Sequence, residues 1–220
     1  MEKISNYEIM RQNAGKAFLK FDHEKIAKKL GLKYDDGKIY IKLFDRDYMV
    51  DCVTGDVTFN GAAAGYDEAM VIYDILCDSK EDAIPSGEYT LLHQLSNVQS
   101  AKQYYAGQGM FARYEKQFDK KAKELESVCL ALGGEKYGKG DISVRIPVFR
   151  DRRDALHTND LSIVISFWES DEDFPAQLQI FADKNLIQYI HYETAWYMLG
   201  YLMNRISSEF EHITGNIKTE

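Results

Sequence analysis

A dense group of carboxylates lies in the stretch "FWESDEDFP", residues 167–175. Glu169, Asp171, Glu172 and Asp173 fall in one short connection between two hydrophobic runs, and we call residues 169–174 the acidic turn. Carboxylates this close repel one another when ionised unless a cation, a basic side chain or water screens them. Oxygen-rich loops suit Ca²⁺ or Mg²⁺, but the full EF-hand pattern is absent. Three interpretations stay open: a hydrated structural turn, a contact for a ligand or protein partner, and a metal site.

Aromatic rings flank the acidic turn. Trp168 and Phe174, together with Phe167, can line the mouth of a pocket, because large rings combine apolar contact with a polar edge. Alternation along a strand equally predicts that such a ring packs into the core. Asp141 ends the glycine-containing loop "YGKGD" at the start of a strand, and it is a further candidate for ligand binding.

Two histidines flank the acidic turn in sequence, His157 before it and His191 after it. A fold that brings one of them beside Asp171 or Glu172 would create a general acid–base pair or a mixed metal site. A hydrogen-bonded structural histidine is the competing interpretation. The sequence contains no H-x-x-x-H or H-E-x-x-H spacing, so a helical zinc site gains no support and no cofactor is identified.

Small-residue loops give a weaker signal. "AGQGMFARY" (residues 106–114) contains G-x-G-x-x-A where a helix begins, and free amides at such a position favour a phosphate. A poor strand precedes it, so glycines that cap a helix are the alternative. G-x-S-x-G and Walker A motifs and a Cys–His signature are absent from the sequence, which gives no support to the common hydrolase and nucleotide triphosphatase machineries.

Hydrophobic periodicity predicts the elements that position these residues. Apolar positions at helical spacing predict helices over residues 22–31, with Asp22 as N-cap and Gly31 as the stop, and over about 65–79, 109–132 and 192–210. Alternating runs predict three strands within residues 38–59 and three more in "DISVRIPVF", "DLSIVISFW" and "AQLQIFAD". "YTLLHQLS" fits either a strand or a turn of helix.

This order of elements predicts one α+β domain over residues 1–220. Two antiparallel β meanders either join in one sheet or pack as two sheets, with amphipathic helices packed on them.

Composition limits the class of protein. A 45% hydrophobic fraction supplies a packed core, and 27 basic against 35 acidic residues give a net charge of −8, which disfavours nucleic acid and anionic lipid as partners. Cys52, Cys77 and Cys129 are far apart, which predicts reduced thiols rather than a disulfide framework or a cluster site. The sequence has no signal-peptide pattern and no bilayer-length apolar stretch, so we expect a cytoplasmic protein that does not enter a membrane.

The strings "GGEKYGKGDISVRIPVF" and "ISFWESDEDFPAQLQIFADKN" resemble a family known as domain of unknown function 3786, from anaerobic bacteria and archaea. The resemblance extends from about residue 21 to about residue 202. It implies a link to anaerobic one-carbon or corrinoid metabolism, and some members carry a cysteine-rich iron–sulfur segment. This chain departs from those members, because its cysteines cannot supply such a segment.

Three functions follow as hypotheses. The first is an accessory domain that binds a small ligand or cofactor, with a pocket at the acidic turn. The second is an enzyme, metal-assisted or acid–base, that uses Asp171, Glu172 or Asp173 with His157 or His191. The third is a protein-interaction module whose acidic turn contacts a basic partner. Ligand identity and oligomeric state do not follow from the sequence.

Overall fold

The computed structural model describes residues 5–95, 111–150 and 160–215. Within these ranges the chain forms six α-helices: α1 (Asn6–Phe18), α2 (His23–Leu30), α3 (Tyr66–Asp78), α4 (Ala112–Phe118), α5 (Ala122–Ala131) and α6 (Tyr192–Thr214). It forms ten strands: β1 (Lys33–Asp35), β2 (Lys38–Leu43), β3 (Arg46–Asp51), β4 (Val57–Phe59), β5 (Ala62–Ala63), β6 (Tyr89–Leu91), β7 (Glu135–Lys136), β8 (Ile142–Phe149), β9 (Leu161–Trp168) and β10 (Gln177–Asp183). Strand β6 runs directly into a 3₁₀ turn (Leu92–Leu95), so both interpretations of "YTLLHQLS" hold in part.

Helices α2, α3 and α6 confirm the periodicity predictions. The predicted caps of α2 are present, since the Asp22 side chain accepts the backbone N–H of Lys25 and Gly31 is left-handed with φ 63°. In the described ranges, no helix combines the length and apolar character needed to cross a bilayer.

The strands form one open antiparallel sheet in the order β5-β4-β3-β2-β8-β9-β10-β6. The first meander (β1–β5) and the second (β8–β10) join where β2 pairs with β8, at Leu43 and Phe149. Beyond the Leu43–Phe149 pair, β2 pairs with β1 and β8 pairs with β7. The two halves of the sheet therefore separate on either side of this single point of contact. The structure thus contains the single-sheet form of the predicted α+β domain.

Tight turns set the register of the first meander. The β1–β2 turn at Asp36-Gly37 and the β4–β5 turn at Asn60-Gly61 have positive φ at both residues, as a type I′ hairpin requires. The β2–β3 turn has the same pattern at Phe44 (φ 47°) and Asp45 (φ 61°), which is unusual for a buried phenylalanine. Strands β1 and β5, of three and two residues, are too short for alternation to predict.

The core lies between the sheet and the helices. Alternate residues of β2, among them Ile39 and Ile41, are buried, while Tyr40 between them is exposed. Strand β9 is buried from Leu161 to Phe167, so it is covered on both faces. Ile39 and Ile41 of β2 and the alternate residues of β9 from Leu161 to Phe167 belong to the same apolar cluster as the buried apolar side chains of α3 and α6.

The long helix predicted over residues 109–132 is wrong as a single element. Its described part divides into α4 and α5 because Lys120 adopts a left-handed conformation, φ 61°, that interrupts the helix. Asp119 beside it is extended, with ψ 136°. Apolar spacing continues across the interruption through Phe118, Ala122 and Leu125, all buried, and for this reason the sequence predicted one helix.

A buried carboxylate holds the end of β10. Asp183, 0% exposed, accepts hydrogen bonds from the backbone N–H groups of Ser86 (3.0 Å), Gly87 (2.9 Å) and Asn185 (2.8 Å), and from the Ser86 hydroxyl (2.8 Å). It therefore ties the loop before β6 to the end of its partner strand.

We predict that Asp183→Ala strongly destabilises the protein. Several half-buried donors lose their buried, charged acceptor, at about 1–3 kcal/mol each, so the free energy of unfolding should fall by about 3 kcal/mol or more. Urea unfolding measures this change. The exposed Asp82→Ala is the control and should stay within about 0.5 kcal/mol of the parent protein; an equal effect of both variants would contradict the assignment.

Candidate metal centre

The acidic turn is closed by its own hydrogen bonds. One oxygen of Asp171 accepts the backbone N–H groups of Asp173 (2.9 Å) and Phe174 (2.7 Å), and the Asp171 N–H donates to the carbonyl of Phe174 (2.9 Å). These backbone donors lower the pKa of Asp171, because they stabilise the ionised carboxylate. Asp171 thus folds the turn locally, as aspartates do in Asx turns.

The acidic turn also binds the interruption between α4 and α5. Glu169 accepts the backbone N–H of Ala122 (2.8 Å), the first residue of α5, and so acts as a cap from a distant segment. Ser170 donates its N–H (2.9 Å) and hydroxyl (2.7 Å) to Asp119, and the Lys120 ammonium donates to the Ser170 carbonyl. Two carboxylates of this region are therefore engaged in joining the strands to the helices.

The flanking rings lie in different surroundings. Phe167 is fully buried and meets Phe118 edge to face, with ring centroids 6.3 Å apart. Trp168, one residue on, points to the other face of the sheet and is half-buried. Phe174 is 65% exposed.

The other predicted site residues separate into three groups. Asp141 accepts the backbone N–H of Glu169 (2.7 Å), which links the "YGKGD" loop to the acidic turn. Glu172 and Asp173 are exposed. His157 and the first half of the "AGQGMFARY" motif lie outside the described residues.

His191 lies beside two aspartates that the sequence analysis did not select. It is the N-cap residue of α6, and its backbone N–H donates to an oxygen of Asp74 in α3 (2.9 Å). Its Nδ1 contacts the same Asp74 oxygen at 3.0 Å. Asp74 is 6% exposed, whereas the His191 side chain is 61% exposed, so a buried carboxylate holds a ring that solvent reaches.

Asp78 completes the group. It lies one helical turn after Asp74, and its Oδ2 is 3.9 Å from Nδ1 of His191. One ligand atom from each of Asp74, Asp78 and His191 lies within 4.8 Å of the other two. We call these three residues the Asp–Asp–His centre.

The charge of Asp74 acts on the pKa values of both Asp78 and His191. Burial raises the pKa of Asp78 and the charge of Asp74 raises it further, against the opposing effects of His191 and Lys29. Burial lowers the pKa of His191, but the charge and hydrogen bond of Asp74 and the charge of Asp78 outweigh it and raise that pKa. Asp78 and His191 therefore hold their protons more tightly than the isolated side chains would, Asp78 chiefly through burial and His191 through the neighbouring carboxylates.

The neighbouring thiol of Cys77 is protonated at neutral pH in the metal-free protein. Burial raises the pKa of Cys77 to about 12, and burial raises that of Cys129 to about 12 as well. The cysteines are free, as predicted, and Cys129 is buried while Cys52 and Cys77 are half-buried. Imidazole and carboxylate are thus the donors that the centre offers.

A signal for this centre exists in the sequence. The stretch "YDILCD" places Asp74 and Asp78 four residues apart on a predicted helix, where they must share a face. Their histidine partner is 117 positions away from Asp74, so nothing local indicates the pairing.

We predict that Asp171→Asn lowers the melting temperature at pH 7 and that Glu172→Gln does not. The folded-state pKa of Asp171 is depressed, so its contribution is present above its unfolded pKa of about 3.9 and is lost as pH falls through the lower folded value. The difference between Asp171→Asn and the parent should therefore vanish in acid. Equal effects of the two substitutions would contradict a structural role specific to Asp171.

We predict that stability falls as pH rises from about 6 to 8 because of His191. Its folded-state pKa is raised, so its contribution is fully present below the unfolded pKa of about 6.5 and is lost as pH rises through the folded value. Melting temperatures of the metal-free protein measure the slope. His191→Gln should flatten it, and an unchanged slope would show that other groups produce it.

The comparisons with known proteins agree with the resemblance noted in the sequence. The family described as domain of unknown function (DUF3786) matches residues 22–205, which include Asp74, Asp78 and His191. No curated protein and no solved structure matches the chain. The chain belongs to the DUF3786 family.

Proposed function

We propose that this chain binds a divalent transition-metal ion as its cofactor, at the Asp–Asp–His centre. The observation that carries the proposal is the convergence of three ligand atoms from two helix ends within 4.8 Å of one another. The Nδ1 of His191 lies 3.0 Å and 3.9 Å from the two carboxylates, a spacing that one ion can bridge.

The donor set favours a borderline cation. Imidazole suits Zn²⁺, Fe²⁺, Ni²⁺ and Cu²⁺, while a centre for Ca²⁺ or Mg²⁺ is usually built from oxygen atoms. Three protein donors leave at least one coordination position free, which is the pattern of catalytic rather than structural zinc sites. The exposure of His191 and Asp78 lets a small ligand reach that position.

The negative charge of the two aspartates favours a bound cation at the centre, although two nearby positive charges oppose it. The amino-terminal end of α6 carries about half a positive charge, which is smaller than the two negative charges of Asp74 and Asp78. Lys29 is near enough to lower the pKa of Asp78, but its ammonium donates to the carbonyl of Ser79 at 2.6 Å. A metal ion would neutralise the remaining negative charge and release the proton that the pair Asp78 and His191 holds.

The metal would give the chain a role as a cofactor-binding accessory protein or as a metal-assisted enzyme. In either role the free position would take a small molecule with an oxygen or nitrogen donor, which the ion would polarise. The link to anaerobic one-carbon or corrinoid metabolism, and the ligand role of the acidic turn, stay predictions.

A second candidate is acid–base chemistry by His191 without a metal. The specific observation in its favour is the hydrogen bond between Nδ1 and buried Asp74, because a carboxylate acceptor fixes the proton on Nδ1. Nε2 then carries the free lone pair on a ring that is 61% exposed. A raised pKa makes this nitrogen a stronger base near neutral pH.

Zinc titration of the metal-free protein, followed by calorimetry and elemental analysis, tests the metal proposal. We expect about one Zn²⁺ per chain, with affinity that rises with pH because the proton on His191 must leave. Asp78→Asn and His191→Gln should each weaken binding by about tenfold or more, and Glu211→Gln, near the other end of α6, is the control that should not.

Lys29→Gln should change the zinc affinity in the opposite direction. Removal of its positive charge should strengthen Zn²⁺ binding severalfold if the ion is held by Asp78, since unit charges near a surface interact by about 1 kcal/mol or more. Zinc binding that is indifferent to Asp78, His191 and Lys29 would contradict the metal proposal. Absence of zinc binding would leave the acid–base candidate.

A further inference from the structure

Two arginines lie near Tyr201, in the middle of α6. Arg46 begins β3 and Arg205 lies in α6, and both are half-buried. In the described part of the chain neither guanidinium forms an ion pair with a carboxylate. Half-buried cations are normally paired, because desolvation of an unpaired charge is unfavourable.

Two tyrosines connect the arginines. The Arg46 guanidinium donates to the Tyr201 hydroxyl (3.1 Å), and the hydroxyls of Tyr201 and Tyr48 are 2.8 Å apart. Burial raises the pKa of Tyr48, and its hydrogen bond with Tyr201 raises it further. Tyr48 is therefore neutral at physiological pH and does not balance the arginine charges.

Arg205 has donor capacity to spare. One of its terminal nitrogens donates to the Phe44 carbonyl at 2.6 Å, within the left-handed turn between β2 and β3. Its Nε is buried and finds no acceptor among the described residues. Burial lowers the pKa of Arg205, and the nearby positive charge of Arg46 lowers it further.

Two nearby acidic side chains act on this region through their charge alone. Glu209 acts on Arg205 through its charge, from one turn further along α6, and Glu68 acts in the same way on Tyr48. Neither contact is a hydrogen bond to a guanidinium in the described residues. The region thus has two half-buried guanidinium groups around the half-buried Tyr201 side chain: Arg46 donates to its hydroxyl and also lies over the Phe59 ring, and Arg205 follows it by one turn of α6.

We propose that Arg46 and Arg205, together with the hydroxyl of Tyr201, bind a phosphoryl group. Guanidinium forks match the oxygen pairs of a phosphate, and a neutral tyrosine hydroxyl donates to a third oxygen. The chain's net charge of −8 favours a single small phosphate compound over a nucleic acid. The site is separate from the Asp–Asp–His centre, since residues 191 and 201 are about 15 Å apart along α6.

Phosphorus NMR titration with inorganic phosphate and with methyl phosphate, at constant ionic strength set with chloride, tests the proposal. We expect saturable binding that Arg46→Gln weakens by about tenfold or more. Arg46→Lys should restore part of the loss, because lysine keeps the charge without the fork. The ligand that binds more tightly identifies the source of the phosphoryl group as a monoester or the free ion.

Matched variants separate a specific site from general attraction. Arg145→Gln is the control, because Arg145 is already paired with Glu135 on the neighbouring strand and should not alter binding. Tyr201→Phe should weaken binding while leaving the fold intact, which provides a test should Arg205→Gln destabilise the β2–β3 turn. The proposal is overturned by a lack of saturable binding to the parent protein, or by an equal loss in the Arg145 and Arg46 variants.

Discussion

The burial of the Asp74 carboxylate between α3 and α6 is the interaction on which the site depends. A carboxylate removed from water requires donors, and His191 supplies two, its backbone N–H and its ring. These hydrogen bonds join the amino-terminal end of α6 to α3, and the two helices share the core with the sheet. The same contact orients the imidazole toward Asp78 and leaves the ring accessible, so helix packing and the geometry of the centre have one physical cause.

The acidic turn and the Asp–Asp–His centre show how differently carboxylates can be used. Glu169 and Asp171 accept backbone N–H groups, and Ser170 binds Asp119, so this part of the turn holds α5 against the sheet. At the centre, burial and then the charge of Asp74 raise the pKa of Asp78, and the charges of Asp74 and Asp78 outweigh burial to raise that of His191, so negative charge is concentrated beside an accessible ring. Unbalanced charge in an accessible position is the feature that points to a ligand.

Much of the fold could be predicted from local pattern, whereas the site could not. Periodicity predicted α2, α3, α6 and the strands of both meanders, because each buries a regular face. It failed at Lys120, where apolar spacing continues through a left-handed residue that a distant loop stabilises. His191 was predicted as a candidate, but its partner Asp74 is 117 residues away and tertiary packing decides the pairing. Arg46 and Tyr201 are likewise separated by 155 residues.

The protonation state of His191 tests the account most directly. Long-range proton–nitrogen NMR distinguishes a protonated Nδ1 from one that is bound to metal, and His191→Gln assigns the signal among the five histidines of the chain. Without metal, we predict a proton on Nδ1 shared with Asp74. On addition of Zn²⁺ we predict that Nδ1 loses this proton and takes a metal-bound shift, with the other histidines unchanged. A His191 spectrum that zinc leaves unaltered would contradict the metal centre.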